Sequence, residues 1–382
     1  MTGLPQVPRP GVVIALLFGL LSGVVAAPVA TNAVASPTSP PFSEFRITLG
    51  ADALHRLRES PRKSVTAMVR RDGRELPGAR IHLKGSTGSF QPVDERPSLT
   101  VSFDTPSGPA RLHLENSVED PSLLHYWLGS EVFREAGLPV PRVSHARVEL
   151  DGRALGLYVL RDGYDPAFLA VALGDPGGIL YEPRTGADIT GTLESKNSPA
   201  GDLTTRGAAT LADLNAALEE RDPVRRFARI SNCLDTQAFA TLIAGEVLLE
   251  HRDGYALARN NYRVLWRASD GRLILIPHGM DQLFVGANFA QHPHLGGTLA
   301  RSLLGTPEGL RQYDDSWRRL SRQWWKPGAW EERVRGKLAE WEPHLTRGES
   351  KALHREAEDL LLRIQRRGTQ IQSPPVKPDV PN

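Results

Sequence analysis

The chain has 382 residues, with 46 Lys and Arg against 44 Asp and Glu, a formal charge of +2. A general nucleic-acid binder carries a clear basic excess, so no nucleic-acid partner is expected. With 40% apolar and 24% charged residues, and 35 Gly beside 30 Pro, the composition fits a turn-rich globular protein and excludes a disordered or low-complexity chain.

Residues 11–27 (GVVIALLFGLLSGVVAA) form an apolar run after a segment whose only charge is Arg9, and Ala33-Val34-Ala35 offers an A-x-A cleavage site. Residues 1–35 therefore read as a secretory signal peptide. The run is slightly short of the roughly 18–20 residues of a membrane span, and an uncleaved N-terminal anchor is the alternative. The mature protein is expected to be exported, without stable membrane insertion. Residues 36–44, containing Ser36-Pro37-Thr38-Ser39-Pro40-Pro41, read as a linker. The lone Cys233 excludes an internal disulfide framework and reads as a core thiol.

Strand signals dominate the next part. Val65 to Arg70, the turn pair Asp72-Gly73 and Ala79 to Lys84 read as a hairpin. Leu99 to Phe103 and Arg111 to Leu114 alternate like half-buried strands. A helix is expected from about Pro121 to Ala136, closed by Gly137. A second hairpin follows, from Val143 to Leu150 and from Ala154 to Leu160 around Asp151-Gly152. After Tyr181 the pattern changes. Ala208 to Glu220 reads as an amphipathic helix, and Asp235 opens an apolar helix running to about Glu250. A loop, His251 to Asn260, precedes a hairpin of Asn261 to Trp266 and Arg272 to Ile276. From Pro307 to Gln372 the pattern is helical, broken at Pro327 and Pro343, and the Pro-rich residues 373–382 are expected to be a disordered tail. The fold class is α+β, with a β-rich N-terminal half and a helix-rich C-terminal half.

The chemistry concentrates around the late hairpin. Asp253 precedes it, Asn260-Asn261 open it, and Asp281 follows it in Pro277-His278-Gly279-Met280-Asp281-Gln282. A hairpin folds its two ends back together, so both carboxylates are expected in one cleft. Helix, loop Asp, Asn, hairpin and second Asp is also the order of a phosphoryl-transfer site, where one Asp orients the attacking hydroxyl while Asn and the other Asp hold Mg²⁺ through hard oxygen donors.

With Asp253-Gly254-Tyr255, Asn260-Asn261-Tyr262-Arg263 and Pro277 to Gln282, together with Leu83-Lys84-Gly85-Ser86, Asn116-Ser117-Val118, Pro139 to Arg142 and Gly156 to Leu160, the sequence resembles the spore-coat protein H (CotH) family of secreted, atypical kinase-like proteins. The resemblance implies a two-lobed kinase-like domain over residues 45–372, with an N-lobe of about 45–182 and a C-lobe of about 183–372. It implies ATP- and Mg²⁺-dependent phosphorylation of Ser or Thr in exported proteins. Carried onto this chain, Asp253 is the catalytic residue. Asp281 and Asn261, with Asn260 as the alternative amide, hold the metal. Lys84, Arg96 and Asp162 approach the ATP phosphates.

Arg96 and Asp162 depart from the family, which has Lys and an acidic residue of Glu length there. A forked guanidinium does not simply replace an ammonium, so the departures admit a second reading, a catalytically degenerate protein of the envelope or surface. His278 and His251 near the two carboxylates admit a third, a metallohydrolase holding Zn²⁺ or another transition metal. No HExxH, GxSxG or P-loop pattern supports other chemistries.

Overall fold

The computed structural model describes residues 41–86, 88–106, 108–173, 178–197, 202–286, 289–326 and 328–372; the segments read as signal peptide and C-terminal tail lie outside them. All described residues belong to one unit, Pro40–Asn382. The first strand begins inside the stretch expected as linker, because Phe42 and Phe45 are buried and pull residues 42–44 into a sheet.

In chain order the first half contains β1 (Phe42–Thr48), α1 (Ala51–Glu59), β2 (Val65–Thr66), β3 (Met68–Arg71), β4 (Arg74–Glu75), β5 (Arg80–Lys84), β6 (Ser98–Thr105), β7 (Gly108–Glu115), α2 (His125–Glu135), β8 (Val143–Leu150) and β9 (Arg153–Asp162). The nine strands make one sheet in the order β2-β5-β6-β7-β9-β8-β1-β3-β4. The hairpin expected at Asp72-Gly73 exists, but it joins β3 to the two-residue β4. Ala79 to Lys84 goes elsewhere. β5 pairs with β2 and β6, because Ile81 and Leu83 meet Val65, Val101 and Leu99 in the same apolar layer. The second hairpin forms as expected between β8 and β9.

Alternation gives this sheet two unlike faces. Ile81, Leu83, Leu99, Val101, Leu112, Leu114, Tyr158 and Leu160 point into a core closed by Ala53 and Leu57 of α1. The opposite parity carries Lys84, Ser98, Thr100, His113, Glu115 and Arg161, and this polar stripe faces the second half of the molecule.

That half contains α3 (Pro166–Leu173), β10 (Ile179–Pro183), β11 (Leu193–Ser195), α4 (Leu203–Leu218), α5 (Pro223–Cys233), α6 (Thr236–Leu248), α7 (Tyr255–Ala258), β12 (Tyr262–Trp266), β13 (Leu273–Pro277), α8 (Thr298–Leu304), α9 (Pro307–Trp324), α10 (Ala329–Trp341) and α11 (Arg347–Gln372). β10 pairs with β12, so the large sheet ends at Asp162, ahead of the boundary expected near residue 182. α6 is apolar on nearly all sides and therefore central. Asp235 caps it by accepting from Ala238 N at 3.0 Å, and nearly every residue of the helix is buried. A Cβ added at Gly245 would lie 2.4 Å from the Phe133 ring, so a glycine on α6 lets α2 of the first half pack directly against it.

Cys233 is buried, as read. Trp324 and Trp330 are also core residues. Arg367 of α11 is 1% exposed and donates to the carbonyls of Val247, Leu248 and Phe289, tying α11 to the end of α6. The described residues form an α+β fold, and none of their helices is long and apolar enough to cross a membrane.

Candidate active site

A cleft of about 260 Å³ opens where the polar stripe of the large sheet meets the β12–β13 hairpin. Lys84, Glu115, Asp253, Asn260, Asn261, Arg263, His278 and Asp281 line it, with Gly85, Ser86 and Ser89 at one rim. The two carboxylates and both amides expected from sequence therefore meet, together with Lys84.

The hairpin sets the carboxylates. His278 N donates to Asn261 O at 2.8 Å just beyond the β12–β13 ladder, which closes the two strand ends on each other. Asn261 sits at φ 48°, and its side-chain NH₂ donates to Asp253 O at 3.0 Å and Asp253 Oδ2 at 2.6 Å. Asn260 donates to the same carboxylate oxygen at 3.0 Å. Both Nδ2–H bonds of Asn261 are thus spent on Asp253, leaving Oδ1 as its acceptor. Gly279 has φ +56°, and a Cβ there would stand 2.0 Å from Asn261 Oδ1, so only glycine leaves room for the amide.

Asp253 is held from below as well. Glu246 of α6 accepts from Tyr255 N at 3.1 Å and Ala256 N at 2.7 Å, capping α7 immediately after the Asp253 loop. His251 Nε2 donates to Gly279 O at 3.0 Å, linking that loop to the one that carries Asp281. Burial holds His251 neutral, its pKa pushed down to about 4 against the Gly279 bond and the Asp253 charge.

Asp281 is pushed up to about 7, first by burial and then by the negative charge of Glu115. A carboxyl so placed gains from a cation beside it. Asp281 and the free Oδ1 of Asn261 are hard oxygen donors of the kind Mg²⁺ takes, so these residues fit the metal the resemblance implies.

Across the cleft the sheet register builds a charge group invisible to spacing. Lys84 pairs with Ser98, and one strand further Leu99 pairs with Leu114. Lys84 and Glu115 thus flank a small serine on one face, and Lys84 Nζ forms an ion pair with Glu115 Oε1. Arg161 on β9 donates to the same oxygen at 2.9 Å from Nη2 and 3.2 Å from Nε, and its guanidinium lies 4.8 Å from the Tyr126 ring centre. Burial works against charge on Glu115, but Lys84 and Arg161 outweigh it and hold the carboxyl below its usual range. Lys84 is shifted down, by burial first, despite Glu115.

Arg96 and Asp162, the other two residues expected at the phosphates, do not reach the cleft. Arg96 donates to Leu157 O and stacks over the Tyr158 ring at 5.0 Å. Asp162 ends β9 and meets Arg142 at 3.2 Å. Each lies on another side of the sheet from Lys84. Glu115 lines the cleft beside Lys84, with the buried Arg161 behind it, and the signal for Glu115 was a charged residue ending the alternating run Leu112-His113-Leu114.

His278 is not a free ligand. Its Nε2 accepts from Arg263 at 3.2 Å and its Nδ1 lies 3.2 Å from Tyr164 OH, which donates to Pro277 O. Arg263 is ion-paired with Glu182. Among the described residues no group of three His, Cys, Asp or Glu side chains is arranged to hold a metal ion.

An Asp–Asn pair and a second Asp around one hairpin, faced by a lysine–glutamate pair from a sheet, are the site elements of a kinase-like protein. The sequence pattern described as CotH kinase protein matches residues 81–354, and the chain belongs to that family. Inner spore coat protein H of Bacillus subtilis (strain 168) is 23% identical over 199 residues, 49% of this chain and 54% of that protein. The chain thus spans about half the length of this curated relative. The crystal structure of the Helicobacter pylori proinflammatory kinase CtkA aligns over 75% of this chain and 93% of its own, at 10% identity and a TM-score of 0.34.

Proposed function

We propose that the protein is an exported kinase that transfers the γ-phosphoryl group of ATP to Ser or Thr hydroxyls of extracytoplasmic proteins. The observation that carries this reading is the bonding of Asn261 to Asp253 in the cleft that Asp281 and Lys84 also line. Asp253 accepts and orients the attacking hydroxyl, its own carboxylate steadied by two amides. Asp281 and Asn261 Oδ1 hold Mg²⁺, which when bound neutralises charge on the phosphates. Lys84 supplies the positive charge on the opposite wall, and Glu115 with Arg161 fixes where its ammonium stands. Most of the catalysis then comes from positioning and charge, as phosphoryl transfer requires.

Export is supported by the apolar run at residues 11–27 and its A-x-A site, together with the coat location in the name of the Bacillus relative. The degenerate, non-catalytic reading was motivated by Arg96 and Asp162. Neither residue lines the cleft, which supports the catalytic reading.

The test is calorimetric titration of ATP into the mature protein with and without Mg²⁺, paired with transfer of labelled phosphate to a Ser-rich acceptor and to the protein itself. The expected result is Mg²⁺-dependent binding and transfer. Asp281→Ala should lose the Mg²⁺-dependent part of binding, and Asp253→Asn should bind nucleotide without transferring phosphate. A wild-type protein indifferent to Mg·ATP overturns the reading.

A further inference from the structure

In this fold the carboxylate partner of Lys84 comes from β7, which leaves the inward side of α2 for another task. His125, the first residue of α2, is 2% exposed, and its ring Nδ1 lies 2.6 Å from the carbonyl oxygen of Asp281, 156 positions away in the chain. A carbonyl only accepts, so Nδ1 carries the proton and donates. The donor is itself anchored. Asp120, 1% exposed, accepts the backbone N–H of His125 at 2.8 Å and that of Ser122 at 3.1 Å, and its Oδ1 stands 3.8 Å from the other ring nitrogen. One turn further along α2, a Cβ on Gly129 would lie 2.8 Å from Met280 Sδ and 3.0 Å from Leu283 Cδ1. Residues four apart share a helix face, so α2 presses on the segment 280–283 at two points, by a hydrogen bond and by a glycine contact.

We propose that His125 is a positioning residue that holds Asp281, through its carbonyl, in register with Asn261. The inference rests on the kinase reading for the role of Asp281, but the contact itself does not. Removing the bond frees the Asp281 backbone without touching Asp253, Lys84 or the hairpin. The Mg²⁺-dependent part of nucleotide binding should then suffer and the Mg²⁺-independent part should not.

Three variants separate this from general destabilisation. His125→Asn places an amide N–H close to where Nδ1–H stood, His125→Gln places it nearer the position of Nε2, and His125→Leu removes it. Amide hydrogen exchange across residues 278–284 and ATP affinity with and without Mg²⁺ are measured on each. Gln and Leu should speed exchange in that segment about three- to tenfold, the weight of one hydrogen bond, and lower affinity with Mg²⁺ by a similar factor, leaving affinity without Mg²⁺ unchanged. Asn should behave like wild type. If Leu does not fold, the Asn and Gln pair decides. Equal exchange in Asn and Gln, or a loss of affinity that ignores Mg²⁺, overturns the proposal. A wild-type protein with no Mg²⁺-dependent binding overturns the kinase reading instead, and the exchange data still decide the role of His125 at the Asp281 carbonyl.

Discussion

The Nδ2 of Asn261 stands 2.6 Å from Oδ2 of Asp253 and 3.0 Å from its carbonyl oxygen. The amide therefore does two jobs at once. It fixes the Asp253 carboxylate, and it turns its own oxygen toward Gly279, in the loop that carries Asp281. Asn261→Asp puts a second carboxylate within hydrogen-bonding distance of the first and removes both donors. Transfer should fall by about a hundredfold or more, the scale for losing a positioned polar group, and the like-charge pair should lower the melting temperature as well. Steady-state kinetics beside thermal melts checks this.

Gly279 tests the same relationship by space rather than charge. A Cβ there meets Asn261 Oδ1 at 2.0 Å, at a φ of +56° that favours glycine. Gly279→Ala should displace the amide and abolish Mg²⁺-dependent nucleotide binding. Binding equal to wild type would show that the amide is not held against Gly279.

Glu115 and Lys84 should separate stability from affinity. Glu115→Gln leaves Lys84 and Arg161 as neighbouring, largely buried cations without their shared anion, and a broken buried pair costs about 3 kcal/mol or more. Lys84→Met should cost less stability, because Arg161 still satisfies Glu115, and more nucleotide affinity. Denaturant unfolding and calorimetry on the two variants should rank them in opposite order.

Arg96→Ala and Asp162→Ala should leave nucleotide affinity unchanged. Asp162 belongs to a largely exposed pair with Arg142, worth about 0–1 kcal/mol. A large affinity loss in either would contradict the geometry of the cleft.

Acid stability has a source outside the site. His145 on β8 donates from Nε2 to Leu123 O at 2.8 Å and packs edge-on against Trp341 at 4.5 Å. Burial pushes its pKa down to about 3, opposed by that hydrogen bond. A histidine depressed in the folded state gives stability that is complete above its unfolded pKa near 6.5 and is lost as pH falls toward 3. The loss attributable to it should approach about 5 kcal/mol at the acid end, at 1.36 kcal/mol per pKa unit. His145→Gln keeps a donor toward Leu123 and does not titrate, so its stability should fall less steeply between pH 6 and pH 4 in denaturant melts.

The elements around the late hairpin were legible because their chemistry is local. Asp235 caps α6, Asn261 and Asp281 bracket two short strands, and a hairpin of that length brings its ends together whatever surrounds it. Register within the large sheet is not local. Lys84 and Glu115 are 31 residues apart, separated by β6, and only the pairing of β5 with β6 and β6 with β7 sets them on one face across Ser98. Arg96 depends on register in the same way. The resemblance implies a phosphate ligand there, while the pairing of β6 and the ring of Tyr158 on β9 set its side chain beside Leu157 O.

The sequence by itself determined the α+β class and the order Asp253, Asn261, Asp281, because hydrophobic period, caps and hairpin motifs act within a few residues of themselves; the family follows from the resemblance of its motifs. Tertiary structure alone decided which cation and which carboxylate complete the cleft. A one-residue slip of a strand moves every side chain to the other face, and the choice between faces is made by the core on the far side, where Ile81, Leu83, Leu99 and Leu114 must all be buried together.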